Sequence, residues 1–190
     1  YIVNDLRQSG KAIEYLEVEE QQQIVPYATE NLTGITFYVS AYKAGDNEVR
    51  FFPTYEFTTA KKPAGNDCFS FVVGDAFRPF QYVGALWYKD DQTMSNWKIS
   101  HNITANSQGL QGASYSGSQL GTPDYAIKFK GCTGCYATLS GGTDKRISMG
   151  YLYNPNNLNY SVNFSIYGIG FGISGSGRAY QASSIQTISY

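Results

Sequence analysis

The sequence predicts an all-β protein: a two-sheet β-sandwich or jelly-roll-like domain with an extended N-terminal arm. Three observations predict it. The chain of 190 residues carries 17 Tyr, 11 Phe and 20 Gly with only 15% charged residues, a mixture suited to half-buried pleated surfaces joined by tight turns. Short apolar runs recur between clusters of Gly, Asn, Asp and Pro at the spacing of sandwich strands. The clearest alternation is the stretch 159–173, NYSVNFSIYGIGFGI, in which Tyr160, Val162, Phe164 and Ile166 share one face and Asn159, Ser161, Asn163 and Ser165 the other. After Tyr167 the phase inverts, since Ile169, Phe171 and Ile173 continue the polar face. Read as one strand, this requires either a bulge at a glycine or a cover on the outer side, from a second sheet or a neighbouring molecule.

Residues 1–26 differ from the rest. They open on Tyr1, Ile2 and Val3, then run through a polar segment with Glu14, Glu17, Glu19, Glu20 and three consecutive glutamines. Ile13 and Leu16 fit a helical stripe, while Leu16, Val18 and Ile24 fit an extended strand, and neither template prevails. Alone, this arm buries too little apolar surface to offset the cost of ordering it, so it calls for a partner surface. Residues 27–190 read as a single domain of nine or ten strands.

Within that domain, Gly34–Lys43 alternates, Gly45, Asp46 and Asn47 make a turn, and Val49–Thr58 is a strand in which Pro53 predicts an edge position or a bulge. A loop at 61–67 precedes Cys68–Val73, and GDAFRPF reads as another loop. Gln81–Lys89 and Trp97–Thr104 are strands. Ala105–Pro123, rich in Gly, Ser and Gln, reads as a long surface loop. Tyr125–Lys130, Tyr136–Leu139 and Ile147–Tyr153 are strands, with SGGTDK as a hairpin turn between the last two. Ile185–Tyr190 closes the chain.

Charge and hydropathy exclude several functions. A formal net charge of −1 with scattered basic residues gives no footprint for nucleic acid and no polybasic membrane patch. No apolar run approaches the roughly 20 residues of a membrane-spanning helix. The first residue is Tyr1, which fits a processed N-terminus after signal removal. Four N-x-S/T sequons, at Asn31, Asn102, Asn159 and Asn163, together with three cysteines, fit a secreted or cell-surface setting with N-linked glycans.

Candidate chemistry is sparse. Cys132-Thr-Gly-Cys135 lacks the βαβ context of a redox motif and reads as strand, tight turn, strand. Cys68, Cys132, Cys135 and the single His101 could supply four zinc ligands, but without a second close pair the spacing is weak. The simpler expectation is a structural disulfide among Cys68, Cys132 and Cys135, across the turn or from Cys68 to one of the pair, with one thiol left over. No nucleophile elbow or paired carboxylate stands in a recognisable setting, so no enzyme is expected. Asp46, Asn47 and Glu48, or Asp90 and Asp91, could ligate calcium, although turns collect such residues anyway. No cofactor is expected beyond the glycans. Trp87, Tyr88 and Trp97 could form a sugar-stacking platform.

The leading expectation is an extracellular structural protein, a glycosylated sandwich protomer of a filament, pilus-like fibre or surface layer. Its arm, with Tyr1, Ile2, Val3, Ile13, Leu16 and Val18, would add as a strand to the next copy and build a head-to-tail homopolymer. The scheme resembles donor-strand exchange in pilus-type fibres as an architecture, with no motif shared residue by residue. The alternative is a secreted carbohydrate-binding lectin or adhesin module using Trp87 and Trp97. A viral capsid or spike jelly roll ranks lower, because genome-packaging arms are basic and this one is acidic.

Overall fold

The computed structural model describes residues 20–21, 30–31, 34–58, 66–89, 97–105, 107–116, 126–154, 159–165, 168–174 and 180–190. Among them there is no helix and there are 14 strands: β1 (Glu20–Gln21), β2 (Glu30–Asn31), β3 (Ile35–Gly45), β4 (Glu48–Phe57), β5 (Asn66–Val73), β6 (Phe77–Lys89), β7 (Lys98–Ile103), β8 (Ser107–Gln108), β9 (Gly112–Ser116), β10 (Lys128–Leu139), β11 (Arg146–Asn154), β12 (Asn159–Ser165), β13 (Gly168–Ser174) and β14 (Tyr180–Thr187). A seven-stranded sheet runs β1-β14-β11-β5-β9-β8, with β2 also on β14. A five-stranded sheet runs β3-β4-β10-β6-β7, and β12 and β13 form a separate ribbon. Every pairing is antiparallel except that of β2 with β14. The all-β, two-sheet prediction is met.

The two sheets face each other across an aromatic core. Tyr55 and Phe57 from one sheet meet Phe69 and Tyr151 from the other, with ring centroids 5.0 Å apart for Tyr55–Phe69 and 4.6 Å for Tyr55–Tyr151. Such pairs contribute about 0.5–1.5 kcal/mol each beyond the area they bury. The phenol of Tyr151 donates to the buried Asp67 carboxyl at 2.8 Å, so the polar end of the ring is satisfied inside the core. Burial, and then the Asp67 charge, hold that phenol well above its usual range.

Several elements differ from the sequence reading for identifiable reasons. The stretch 159–173 is two strands, and the phase inversion is a chain reversal between Ser165 and Gly168. The register sets Tyr160, Val162 and Phe164 opposite Ile173, Phe171 and Ile169, so one alternating pattern folds back onto itself. This ribbon lies against β5, β11 and β14 of the same chain. Residues 132–135 sit inside the unbroken β10: β6 pairs with Cys132, Thr133 and Gly134, and β4 pairs with Cys132 and Cys135, so each of the four has a rung on at least one side. Pro53 lies in an interior strand between β3 and β10. The β4–β10 ladder has no rungs at Phe52 and Pro53, and Thr133 Oγ1 donates to the Pro53 carbonyl at 3.0 Å instead. The described part of Ala105–Pro123 contains β8 and β9, whose Ala113 and Tyr115 are core residues. GDAFRPF is a turn only as far as Ala76.

SGGTDK connects strands of different sheets, so it is a crossover and makes no hairpin. It packs on the parallel crossover at 74–76. There, Asp75 Oδ1 accepts the Asp144 amide at 2.8 Å, Ser140 Oγ donates to the Asp75 carbonyl, and Gly74 N donates to the Arg146 carbonyl at 2.8 Å. Asp144 pairs with Arg146 through contacts of 2.9 Å.

Candidate functional site

The outer face of the five-stranded sheet carries a group of aromatic and cationic side chains outside the main core. A bulge in β6 decides which ones. In the pairing with β10, Gly134 faces Val83 and Tyr136 faces Phe80, so β6 carries an additional residue there. Gln81 sits in the left-handed region at φ 52. Before the bulge Phe77 points into the core; after it Tyr82, Leu86 and Tyr88 do. The bulge thereby turns Trp87 and Lys89 outward and sends Tyr88 inward, removing Tyr88 from the expected platform.

Two rows of this face hold cations against rings. In the first, Tyr42, Arg50, Tyr136 and Phe80 follow one another across the strands. The Arg50 guanidinium lies 4.3 Å from the Tyr136 centroid and 5.7 Å from that of Tyr42. In the second, Glu56, Lys130 and Trp87 are register partners on β4, β10 and β6. The Lys130 ammonium stands 5.5 Å from the Trp87 centroid and 4.5 Å from that of Trp97, and Lys89 adds a second ammonium 4.8 Å from Trp97. Trp87 and Trp97, ten residues apart in sequence, therefore meet around one lysine. Ammonium groups thus stand against the two indoles expected to form a sugar-stacking platform. Burial lowers the Lys130 ammonium's affinity for its proton; Cys132 and Glu56 oppose that, and Lys89 reinforces it. Trp87 Nε1 is buried without a hydrogen-bond partner.

The cysteines do not form the expected bridge. None of the three is in a disulfide and all are buried. Cys135 belongs to the core between the sheets, while Cys132 joins Phe52 and Ala85 on the outer face. Three residues apart in a strand, they point in opposite directions and cannot pair across a turn that does not exist. Cys68 lies in the other sheet, on the face away from the core, 3.4 Å from Ser70 Oγ. The zinc reading of Cys68, Cys132, Cys135 and His101 fails for the same reason, and no group of three metal-ligating residues occurs among the described residues. Burial pushes the Cys132 and Cys135 thiols up.

A second feature is the edge of β14. Glu20 and Gln21 pair antiparallel with Gln186 and Ile185, while Glu30 and Asn31 pair in parallel with Tyr180 and Gln181. The described part of the arm, Glu20 and Gln21, thus adds to the sheet edge of its own chain, where the sequence reading places the arm on a neighbouring copy. Tyr1, Ile2, Val3, Ile13, Leu16 and Val18 lie outside the described residues. Gln186 Nε2 donates to the Phe37 carbonyl at 2.8 Å, tying this edge to β3 of the facing sheet. Of the sequon asparagines, Asn102 is exposed on β7, Asn31 lies in β2, and Asn159 and Asn163 lie in β12, opposite Ser174 and Gly170. No helix among the described residues is long and apolar enough to cross a membrane.

No protein-family model and no curated protein matches the chain. Solved structures with a similar arrangement include the collagen-binding subdomain ACE19 of an Enterococcus faecalis surface protein, at 11% identity and TM-score 0.40, covering 76% of this chain and 94% of that one. The collagen-binding domain of a Staphylococcus aureus adhesin matches at 8% identity and TM-score 0.37, over 77% and 95% of the two chains. The T6 backbone pilin of Streptococcus pyogenes matches at 10% identity and TM-score 0.41, over 80% of this chain and 35% of the pilin. The β-sandwich assignment rests on the sheet topology itself.

Proposed function

We propose that this chain is an extracellular structural protein, a non-enzymatic sandwich protomer that assembles with its own copies by strand addition at the β14 edge. The observation that carries the reading is the way the arm and the residues just after it meet that edge: Glu20–Gln21 of the arm in one ladder of two residues, and Glu30–Asn31 in another running in the opposite direction. Neither ladder commits the arm to its own subunit by much. The arm of a second copy can make the same pairs, so exchange conserves the contacts and costs only the entropy of joining copies. A head-to-tail arrangement of this kind extends into a fibre or layer where its rotation does not close a ring. The four sequons, with Asn102 exposed, support N-linked glycans on an outward surface.

The register supplies the test. Gln21 and Ile185 are Cα partners, so the double substitution Gln21→Cys with Ile185→Cys allows a disulfide wherever the arm docks. Under mild oxidation at assembling concentration, exchange gives a covalent ladder of multimers on a non-reducing gel, and each single variant gives none. A band at monomer mass alone, from a sample that sediments as a monomer, would show that the arm belongs to its own subunit and would remove the proposal.

A further inference from the structure

Lys130 is out of place on energetic grounds. Lysines are almost never buried without a partner, yet Lys130 is 7% exposed. Among the described residues, no carboxylate lies within 4.0 Å of its ammonium or of that of Lys89. Glu56, its register partner, acts on it only at longer range and accepts a hydrogen bond from Tyr38 at 3.4 Å. The two ammonium groups share the Trp97 ring at 4.5 and 4.8 Å, an arrangement of like charges that repel. Beside them the Trp87 N–H is buried and unused. Among the described residues, three donors thus gather at two indoles with no carboxylate within 4.0 Å of either ammonium.

We propose that this cluster is a binding site for an acidic saccharide, a sugar bearing carboxylate or sulfate groups. The anion would supply what Lys89, Lys130 and the Trp87 N–H lack, through charge-assisted hydrogen bonds in a partly dry setting. The indole walls favour a ligand that also presents C–H faces, which a bare inorganic anion does not. Nucleic acid fits less well, since its affinity comes from neutralising many phosphates along a basic surface and this chain has a net charge of −1. The site lies on the outer face of the five-stranded sheet, away from the β14 edge of the other sheet, so the inference is independent of strand exchange.

The chain has two tryptophans, and both are here. Intrinsic tryptophan emission therefore reads this site alone. The full chain is titrated, at matched ionic strength, with polygalacturonate, sulfated dextran, neutral dextran and inorganic sulfate. Saturable emission changes are expected with one or both acidic polymers and none with neutral dextran. Lys89→Met, on a half-buried position that tolerates the change, should weaken binding by about tenfold or more, the loss of one charge-assisted hydrogen bond. Lys130→Met should abolish the response; if that variant fails to fold, Lys89→Met decides alone. Silence with both polymers, undiminished binding by Lys89→Met, or an equal saturable response to inorganic sulfate would each overturn the assignment.

Discussion

Gly131 lies opposite Tyr55 in the β4–β10 ladder, and the tyrosine ring folds over it. A Cβ at this position would stand 2.3 Å from Tyr55 Cε1, 2.7 Å from Cζ and 2.9 Å from the hydroxyl oxygen. The ring has nowhere to retreat, because Tyr55 is fully buried against Phe57, Phe69 and Tyr151. Overpacking of this kind costs about 3 kcal/mol at the upper end of its usual range. Alanine returns about 0.5–1 kcal/mol because it loses less backbone freedom on folding than glycine. Gly131→Ala should therefore destabilise the fold by about 2 kcal/mol, or about 4–8 °C in melting temperature for a domain of this size. Equilibrium urea denaturation measures it, and a double-mutant cycle with Tyr55→Leu tests the cause. With the ring gone, Gly131→Ala should be neutral or mildly stabilising. If instead the two changes add within about 0.5 kcal/mol, the ring is not what the new methyl meets and the reasoning is wrong.

Tyr151→Phe takes away the phenol that donates to the buried Asp67 carboxyl and should cost about 1–3 kcal/mol in chemical denaturation; a cost under about 0.5 kcal/mol would mean that the carboxyl is served equally well by other donors. Gln81→Val places a β-branched side chain at φ 52 and should lower stability by about 1–2 kcal/mol, whereas Gln81→Gly should do no harm, and differential scanning calorimetry of the two separates a strained bulge from an indifferent one. Asp144 is held below the usual carboxylate range, mainly by its hydrogen bond to Arg146, so its contribution is full above its unfolded pKa of about 4 and is lost as pH falls through the lower folded value. The stability difference between wild type and Arg146→Met should therefore shrink on acidification below about pH 4, and a difference that stayed constant or grew would contradict the assignment.

What could be read from the sequence, and what could not, follows from how many sides of each strand are buried. In β3 the apolar residues Ile35, Phe37, Val39 and Ala41 share one parity and meet the core, and its turn at Asp46 and Asn47 carries the expected residues. β10 has no such pattern. Phe129, Cys135 and Ala137 fill the core while Lys130 and Cys132 are buried on the opposite face, so both parities look internal and the glycines read as a turn. β5 has the same character, with Phe69 and Phe71 inward and Cys68 and Ser70 buried outward. Crossovers look like hairpins in a linear reading, because a turn sequence fixes the local reversal and says nothing about which sheet receives the next strand. The two tryptophans were visible as candidates. Their lysine was not, since Lys130 joins them only through the order β10-β6-β7 and the bulge at Gln81.

The edges of the two sheets bear on assembly. An unpaired edge is a standing invitation to another strand, and natural sheets blunt it by shortness, polar cover or side-chain capping. The seven-stranded sheet ends on one side at β8, which offers two residues. In the five-stranded sheet, β7 is six residues long and carries the exposed Asn102, where a glycan would stand in the way of pairing. β3 is 11 residues long, but its Phe37 carbonyl is taken by Gln186 from the facing sheet. β14 differs from all of these, since among the described residues it is the edge met by extended chain from outside the sandwich, in both directions. In the proposed exchange, one receptive edge and one arm per copy would give each subunit a single donor and a single acceptor. That stoichiometry would give a linear or ring-shaped polymer rather than a network, and in an open chain blocking either partner should stop growth at one end only.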